Sequence, residues 1–344
     1  MAVPTTKLVC RKPDCKVPTG GVCSEGHQPP ESCPNFGELD PIEEEDSSAV
    51  YLNTGNTVEL PSGEALGVVA LEEFLRWRLA KFITIVGEKD SGKTTLICSL
   101  YDRFLKGVFS DFAFSESRTL VGLERRSHYS RIDSGGSVPD TAHTSIQEGL
   151  QFLHLAIADT GAGYSRHDLM FSDRAGESYR NVQRKPALAK ELTEITNAHR
   201  VLLLLDGGRV ATPTERAGAI QAVRQTLRAL IEGGALSSTA NVQVVTSKVD
   251  LIQSHANRTS LESQLAEFRS QLQQDFGGLL GALTFWDIAA RDPTGTLLPA
   301  HGLAALVKEW TAISVQRVPP YRRTLTLRTE FERLLEKPAG GVLP

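Results

Sequence analysis

The residues Gly87-Glu88-Lys89-Asp90-Ser91-Gly92-Lys93-Thr94 satisfy the spacing G-x-x-x-x-G-K-[ST]. Glycines at both ends let backbone N–H groups turn inward around a chain of phosphates. A helix starting just after them adds the positive end of its dipole. Lys93 supplies a point charge that can bridge the β- and γ-phosphates, the Thr94 hydroxyl can ligate Mg2+, and Thr95 completes the contact set. The bland alternative is a chance glycine-rich turn, and the flanking pattern argues against it. Phe82-Ile83-Thr84-Ile85-Val86 is a β-branched run that stops at Gly87, while Leu96, Ile97, Leu100, Tyr101 and Phe104 come next at helical spacing. Strand, glycine loop and helix in that order predict a nucleoside triphosphate site.

Two carboxylates are candidates for the metal side of such a site. Asp173 comes directly after Leu169-Met170-Phe171-Ser172 and opens Asp173-Arg174-Ala175-Gly176. Asp206 closes the apolar run 201–205, a pattern that would suit an ATPase. The choice of base rests on two segments further along the chain. After the run 242–245 stands Thr246-Ser247-Lys248-Val249-Asp250, close to [NT]-K-x-D, with Ser247 where Asn or Thr is usual. A carboxylate there can accept both N1–H and the 2-amino group of guanine, a pair that adenine does not offer, and a lysine stem can lie over the base plane. Ile288-Ala289-Ala290, after a last apolar run, is similar to a loop whose backbone N–H meets guanine O6. Each motif alone is weak, since a surface Lys-x-Asp is ordinarily solvated charge. Their order along the chain carries the reading.

The elements that must position these residues can be followed by period. Residues 152–158 alternate, residues 169–171 and 201–205 are apolar runs, and 242–245 and 283–286 are further strand candidates. Ile220, Val223, Leu227, Leu230 and Ile231 share one helical face, as do Leu261, Leu265, Phe268 and Leu272, and a last helix is expected over 303–310. Strands alternating with helices imply an α/β domain whose mostly parallel sheet is covered on both faces. The chain is expected to divide into a Cys-, Pro- and Gly-rich module (1–35), an acidic linker (36–59) carrying Glu43, Glu44, Glu45 and Asp46, the α/β domain (60–318), and a tail (319–344). The tail's helix is expected over 321–336.

With 344 residues, 37 Lys+Arg and 41 Asp+Glu, the formal charge of −4 gives no electrostatic argument for a nucleic-acid or membrane surface. No apolar run is long enough for a transmembrane helix, and the N-terminus lacks the apolar core of a signal peptide, so a cytoplasmic protein is expected.

Taken together, the phosphate loop, the D-x-x-G of Asp173–Gly176, the S-K-x-D of Ser247–Asp250 and the small-residue loop at Ala289 and Ala290 resemble Ras-like, translation-factor-related GTPases over roughly residues 81–316. That resemblance implies a Ras-like sheet with one antiparallel edge strand (152–158), GTP and GDP as ligands, and Mg2+ as cofactor. Ser117-Arg118-Thr119-Leu120-Val121-Gly122-Leu123-Glu124, Phe171–Glu177 and the N-terminal cysteines are similar to the bacterial double-GTPase family. Protein partners, another GTPase or a GTPase-activator-like protein, are implied by it.

In that frame Asp173 would hold Mg2+ through water and the Gly176 N–H would sense the γ-phosphate. Thr144 is the switch threonine candidate, with Thr141 as runner-up. About fifty residues separate Thr94 from Thr144, a connection long enough to be an insert that binds a partner, and it carries Arg118, Arg125, Arg126 and Arg131. Glu177 stands where Ras-like enzymes place a water-orienting Gln. A carboxylate there adds repulsion yet can act as a base, which predicts slow unaided hydrolysis. Arg174 lies next to the site in sequence, and its direction is left open. The alternatives are an ATPase using Asp206, or a GTP-holding adaptor that recognises a partner through its N-terminal module.

That module carries Cys10, Cys15, Cys23, His27 and Cys33. Four soft ligands in a tetrahedron suit structural Zn2+, with Cys10, Cys15 and Cys23 as the nucleus and His27 or Cys33 as the fourth. Disulfides are the competing reading, disfavoured in a reducing compartment. Cys98, amid apolar neighbours, reads as a buried small hydrophobe.

Overall fold

The run that precedes the glycine loop forms β3, Lys81–Val86, the central strand of a seven-stranded sheet. The structure is a computed structural model. It describes residues 8–10, 17, 27–29, 32, 33, 36–38, 60–128, 149–161, 163, 165–291, 295, 297–313 and 315. The chain divides into two units, Met1–Leu60 and Pro61–Pro344.

In the first unit β1, Leu8–Cys10, pairs antiparallel with β2, Phe36–Glu38. The stretch read as linker therefore begins with three residues of strand. Cys33 is buried and takes part in no disulfide. Cys15 and Cys23 lie outside the described residues, and among the described residues no cluster of His, Cys, Asp or Glu is placed to hold a metal.

In the second unit the strands run in the order β4-β5-β6-β3-β7-β8-β9. These are β4 Phe112–Glu116, β5 Gln151–Asp159, β6 Arg166–Asp173, β7 Arg200–Asp206, β8 Asn241–Ser247 and β9 Ala282–Asp287. The pairs β3–β6, β3–β7, β7–β8 and β8–β9 are parallel, while β5 is antiparallel to both neighbours. The antiparallel strand expected at the edge is thus second from it, and β4 covers it. The five residues Phe-Ala-Phe-Ser-Glu of β4 carry too little alternation to announce a strand; pairing with β5 makes them one.

Helices close both faces. On one, α7 (Pro213–Glu232) and α9 (Arg258–Phe276) set Val223, Leu227, Leu230, Leu261, Leu265 and Phe268 against the strands. On the other, α2 (Lys93–Leu105) and α10 (Leu303–Thr311) set Leu96, Leu100, Phe104, Leu306 and Trp310 against Ile83, Ile85, Leu202 and Leu204. Each fully buried aliphatic side chain contributes about 1.5–3 kcal/mol of transfer free energy. Cys98 is fully buried in α2, and burial pushes its thiol up to about 12, an inert core position.

Several helices had no sequence forecast, two of them between residues 60 and 130. The first, α1 (Val68–Trp77), joins Leu71, Ala80, Phe152 and Met170 in a third apolar cluster. The second, α3 (Leu120–His128), opens the long connection after β4. The helix expected over 321–336 lies outside the described residues, as do Thr141, Thr144 and Arg131. No helix among the described residues is long and apolar enough to cross a membrane.

With β3, β6, β7, β8 and β9 parallel, their C-terminal ends share one edge of the sheet. The chain first builds the β6 side of β3 and then the β7 side. A crevice therefore opens beside β3 at the topological switch point, where open α/β sheets take their ligands.

Candidate functional site

The loop from Gly87 to Gly92 turns tightly at the end of β3. Gly92, at φ +94°, lies in the left-handed region and caps α2, where Leu96 N–H donates to its carbonyl at 2.9 Å. Ser91 Oγ–H donates to the Glu88 carbonyl (2.9 Å), and Lys93 Nζ donates to the carbonyls of Gly87 (3.1 Å) and Glu88 (2.7 Å). The ammonium is thereby held over the loop. Burial lowers the Lys93 pKa, and the carboxylates of Asp173, Glu177, Asp90 and Glu88 oppose that shift.

Asp173 ends β6, the strand beside β3, with its side chain 1% exposed, and its Oδ2 accepts from Arg126 Nε at 2.8 Å. Gly176, the first residue of α4 (Gly176–Arg184), approaches the loop as closely as a glycine can. A Cβ there would stand 2.8 Å from both Gly87 O and Lys89 N. The Gly176 backbone therefore borders the loop itself. Glu177 comes next in the first turn of α4, within electrostatic reach of Lys93. Arg174 is held away from the phosphate loop: its Nε and Nη2 form a fork with Glu194, at 2.7 and 3.2 Å, and the Glu194 side chain is fully buried.

The base side is laced to the phosphate loop. Ser247 Oγ–H donates to Ser91 O (2.8 Å), with Leu205 O at 3.3 Å. Lys248, at φ +50°, sends Nζ to Asp90 O (2.8 Å) and Asp206 Oδ2 (2.8 Å). The serine that departs from the usual Asn or Thr thus reaches the loop through its hydroxyl. Asp250 is buried, at 1% exposure, in the first turn of α8 (Val249–Gln253). Val249 N–H donates to Ile288 O (3.1 Å) and Ile288 N–H to Thr246 O (2.9 Å), so the S-K-x-D turn and the Ile288-Ala289-Ala290 loop are stitched side by side. Arg269 adds a cross-brace, donating to Thr246 Oγ1 (2.8 Å) and to the Asp287 carboxylate. The Ala289 amide donates to His301 O (3.1 Å).

Both carboxylate oxygens of Asp206 are engaged within the fold. Its Oδ1 caps the turn after β7, accepting from Gly208 N (2.9 Å) and Arg209 N (3.4 Å), and its Oδ2 accepts from Lys248. Asp206 thus ties Lys248 to the turn after β7. Gly207 next to it allows the close approach, since a Cβ there would stand 2.3 Å from Ser247 O.

The comparisons agree with this geometry. The family description Double-GTPase 2 matches residues 81–311, a span that contains every element just described from β3 to α10. The chain belongs to the Double-GTPase 2 family. In a comparison with curated proteins, none matched the chain.

Among solved structures, this Double-GTPase 2 chain is similar to the signal recognition particle receptor SRb-GTP/SRX complex from Chaetomium thermophilum. Identity there is 14%, with 68% of this chain and 99% of that one covered and a TM-score of 0.38. It is also similar to the S. cerevisiae Ski7 GTPase-like domain bound to GTP, at 14% identity, 72% and 53% coverage and a TM-score of 0.38. A third is Methanosarcina barkeri Roco2 RocCORdC bound to GDP, at 14% identity, 70% and 51% coverage and a TM-score of 0.33. The chain spans about half the length of the latter two.

Two functional features escape sequence reasoning. Arg126 stands in the sequence as one of several insert arginines, and Asp206 offers a carboxylate with no sign of its partner Lys248. The stretch Asp206-Gly207-Gly208 is the available signal for the second, a carboxylate followed by residues small enough to let it cap its own turn.

Proposed function

We propose that this chain is a GTP-binding switch that requires Mg2+, hydrolyses GTP slowly on its own and works with a protein partner. The observation that carries the reading is the double tie between phosphate loop and base-reading loop. Ser247 and Lys248 bind the carbonyls of Ser91 and Asp90, and thereby set Asp250 at a fixed offset from Lys93. One rigid ligand with a phosphate tail and a purine head suits such a frame.

The residues fit the ligand and its metal. Gly87 to Thr95 would take the phosphates, Lys93 the β/γ bridge, and Asp250 the N1–H and 2-amino group of guanine, with Lys248 along the base and Ala290 at O6. Thr94 and Asp173 would hold the metal, with Thr144 as the switch ligand from the long connection. Mg2+, when bound, supplies Lewis-acid stabilisation of charge on the phosphate oxygens. Gly176 would report the γ-phosphate, and Glu177 would orient or deprotonate the attacking water. A carboxylate in that place repels the charge building on the phosphates, so unaided turnover is slow. A partner would bind the long connection between Thr94 and Thr144. The small unit would hold Zn2+ through Cys10, Cys15 and Cys23 with His27 or Cys33, and the buried, non-disulfide state of Cys33 supports that reading.

The test is the affinity for GTP and for ATP, measured on the parent and on Asp250→Ala. The parent is expected to prefer GTP. The variant is expected to lose about 100-fold or more for GTP with ATP unchanged, because a buried acceptor of two hydrogen bonds is gone. Equal loss for both nucleotides would overturn the assignment.

A further inference from the structure

Asp173, on the reading above, is the carboxylate that faces the metal, and it already has a cation. Arg126 Nε lies 2.8 Å from Asp173 Oδ2, and the two side chains are only 10% and 1% exposed. The guanidinium also donates from Nη1 to Gly122 O (3.2 Å), which fixes its direction along α3. The helix that delivers it is fastened on several sides. Leu123 is 1% exposed, Gly122 N–H donates to Gly63 O (2.9 Å), a Cβ on Gly122 would stand 2.7 Å from Ala65 N, and Tyr101 O–H donates to Glu124 (3.1 Å). Arg126 is therefore no loose surface arginine that happened to find an acid. The fold anchors a helix so that one guanidinium stands against one carboxylate at the end of β6.

We infer that Arg126 is a built-in competitor of Mg2+ for Asp173, so that docking of α3 and metal binding oppose each other. The inference rests on the proposed role of Asp173. The physical ground is charge. A carboxylate neutralised by a buried guanidinium attracts a hydrated divalent cation less, and the fixed positive charge repels that cation directly. Linkage then runs both ways: what Arg126 takes from the metal's affinity, the metal takes from the anchorage of α3. Arg126 acts through Asp173 and is a positioning residue, and the 117–128 stretch becomes the element whose hold the metal weakens.

The experiment is the rate of release of a fluorescent GDP analogue from the full chain as a function of free Mg2+, for the parent, Arg126→Gln and Arg126→Lys. The expected result is that Arg126→Gln needs at least about fivefold less Mg2+ than the parent for half-maximal retention, a shift of one RT ln 5 in coupling. Arg126→Lys, which keeps the charge, is expected to stay nearer the parent. Amide exchange of residues 120–128 in the GDP-loaded parent supplies a second readout that needs no variant. It is expected to speed up when Mg2+ is added, whereas slower or unchanged exchange overturns the inference. So does an Arg126→Gln that needs as much Mg2+ as the parent, or more. A parent that retains no guanine nucleotide overturns the proposed function and this inference with it; retention with an unshifted Mg2+ dependence overturns this inference alone.

Discussion

Gly176 presses on the phosphate loop so closely that a single added carbon would stand 2.8 Å from Gly87 O and from Lys89 N, and 2.9 Å from the carbonyl carbon of Glu88. All three neighbours are backbone, so no side chain can swing aside to make room. Gly176→Ala is therefore expected to displace either the loop or the start of α4. The displacement costs about 1–3 kcal/mol of stability, as overpacking does. Affinity for a fluorescent GTP analogue is expected to fall by about tenfold with it, or roughly 1.4 kcal/mol. Thermal melts and a binding titration check the two halves separately. An alanine variant with the parent's melting temperature and affinity would show that the contact constrains neither element.

Arg174 and Glu194 form an ion pair whose carboxylate is fully buried, and it makes a stability prediction that can be measured without nucleotide. Burial raises the Glu194 pKa, with Arg174 pulling the other way, so the carboxylate depends on its partner to remain charged. Glu194→Ala leaves a guanidinium buried without its counter-charge and is expected to cost about 3–5 kcal/mol. Denaturant unfolding measures it. The paired replacement Arg174→Met with Glu194→Leu is expected to recover most of the loss, because both charges leave together.

Lys81 begins β3, six residues before the glycine loop, and its Nζ donates to Thr311 O and contacts His167 Nδ1 at 2.9 Å. Burial brings its pKa down from 10.5 to about 8. Between those two values the unfolded chain holds a proton that the folded chain has released, so this group makes stability rise as pH climbs through that window. Against Lys81→Met, which lacks the titration and shares every other group, the parent is expected to gain stability between pH 8 and pH 10. A difference in melting temperature that stays constant across that range would remove Lys81 as the cause.

Much of this architecture could be read before folding, and the reasons differ by element. The phosphate loop, β7, β8 and the helices α7 and α9 announce themselves because local chemistry and burial point the same way: the runs 83–86, 201–205 and 242–245 are buried on both faces and apolar but for Thr84 and Gln243. The Ser247–Asp250 segment lies against the phosphate loop as its order in the chain implies, with the Ser247 hydroxyl donating to Ser91 O. What sequence could not supply was anything decided by distant partners. The strand β4 exists because β5 pairs with it, and Asp206 resembles a metal acid in sequence although Lys248, 42 residues away, claims it in the fold. Arg126 and Asp173, 47 residues apart, have no local signature that joins them.

Glu88, the second residue of the phosphate loop, is gripped by Arg180 of α4 (3.2 Å) and by Arg209 from the turn after β7. Those two arginines belong to different helices, so the loop's rim is moored on one side to the element carrying Glu177 and on the other to the turn that Asp206 caps. A swing of α4 must first slip the Arg180 mooring. Without it the carboxylate would keep Arg209 alone, next to the turn that Asp206 caps and Lys248 braces. Glu88 is in this sense the pin on which α4 and the turn after β7 both bear.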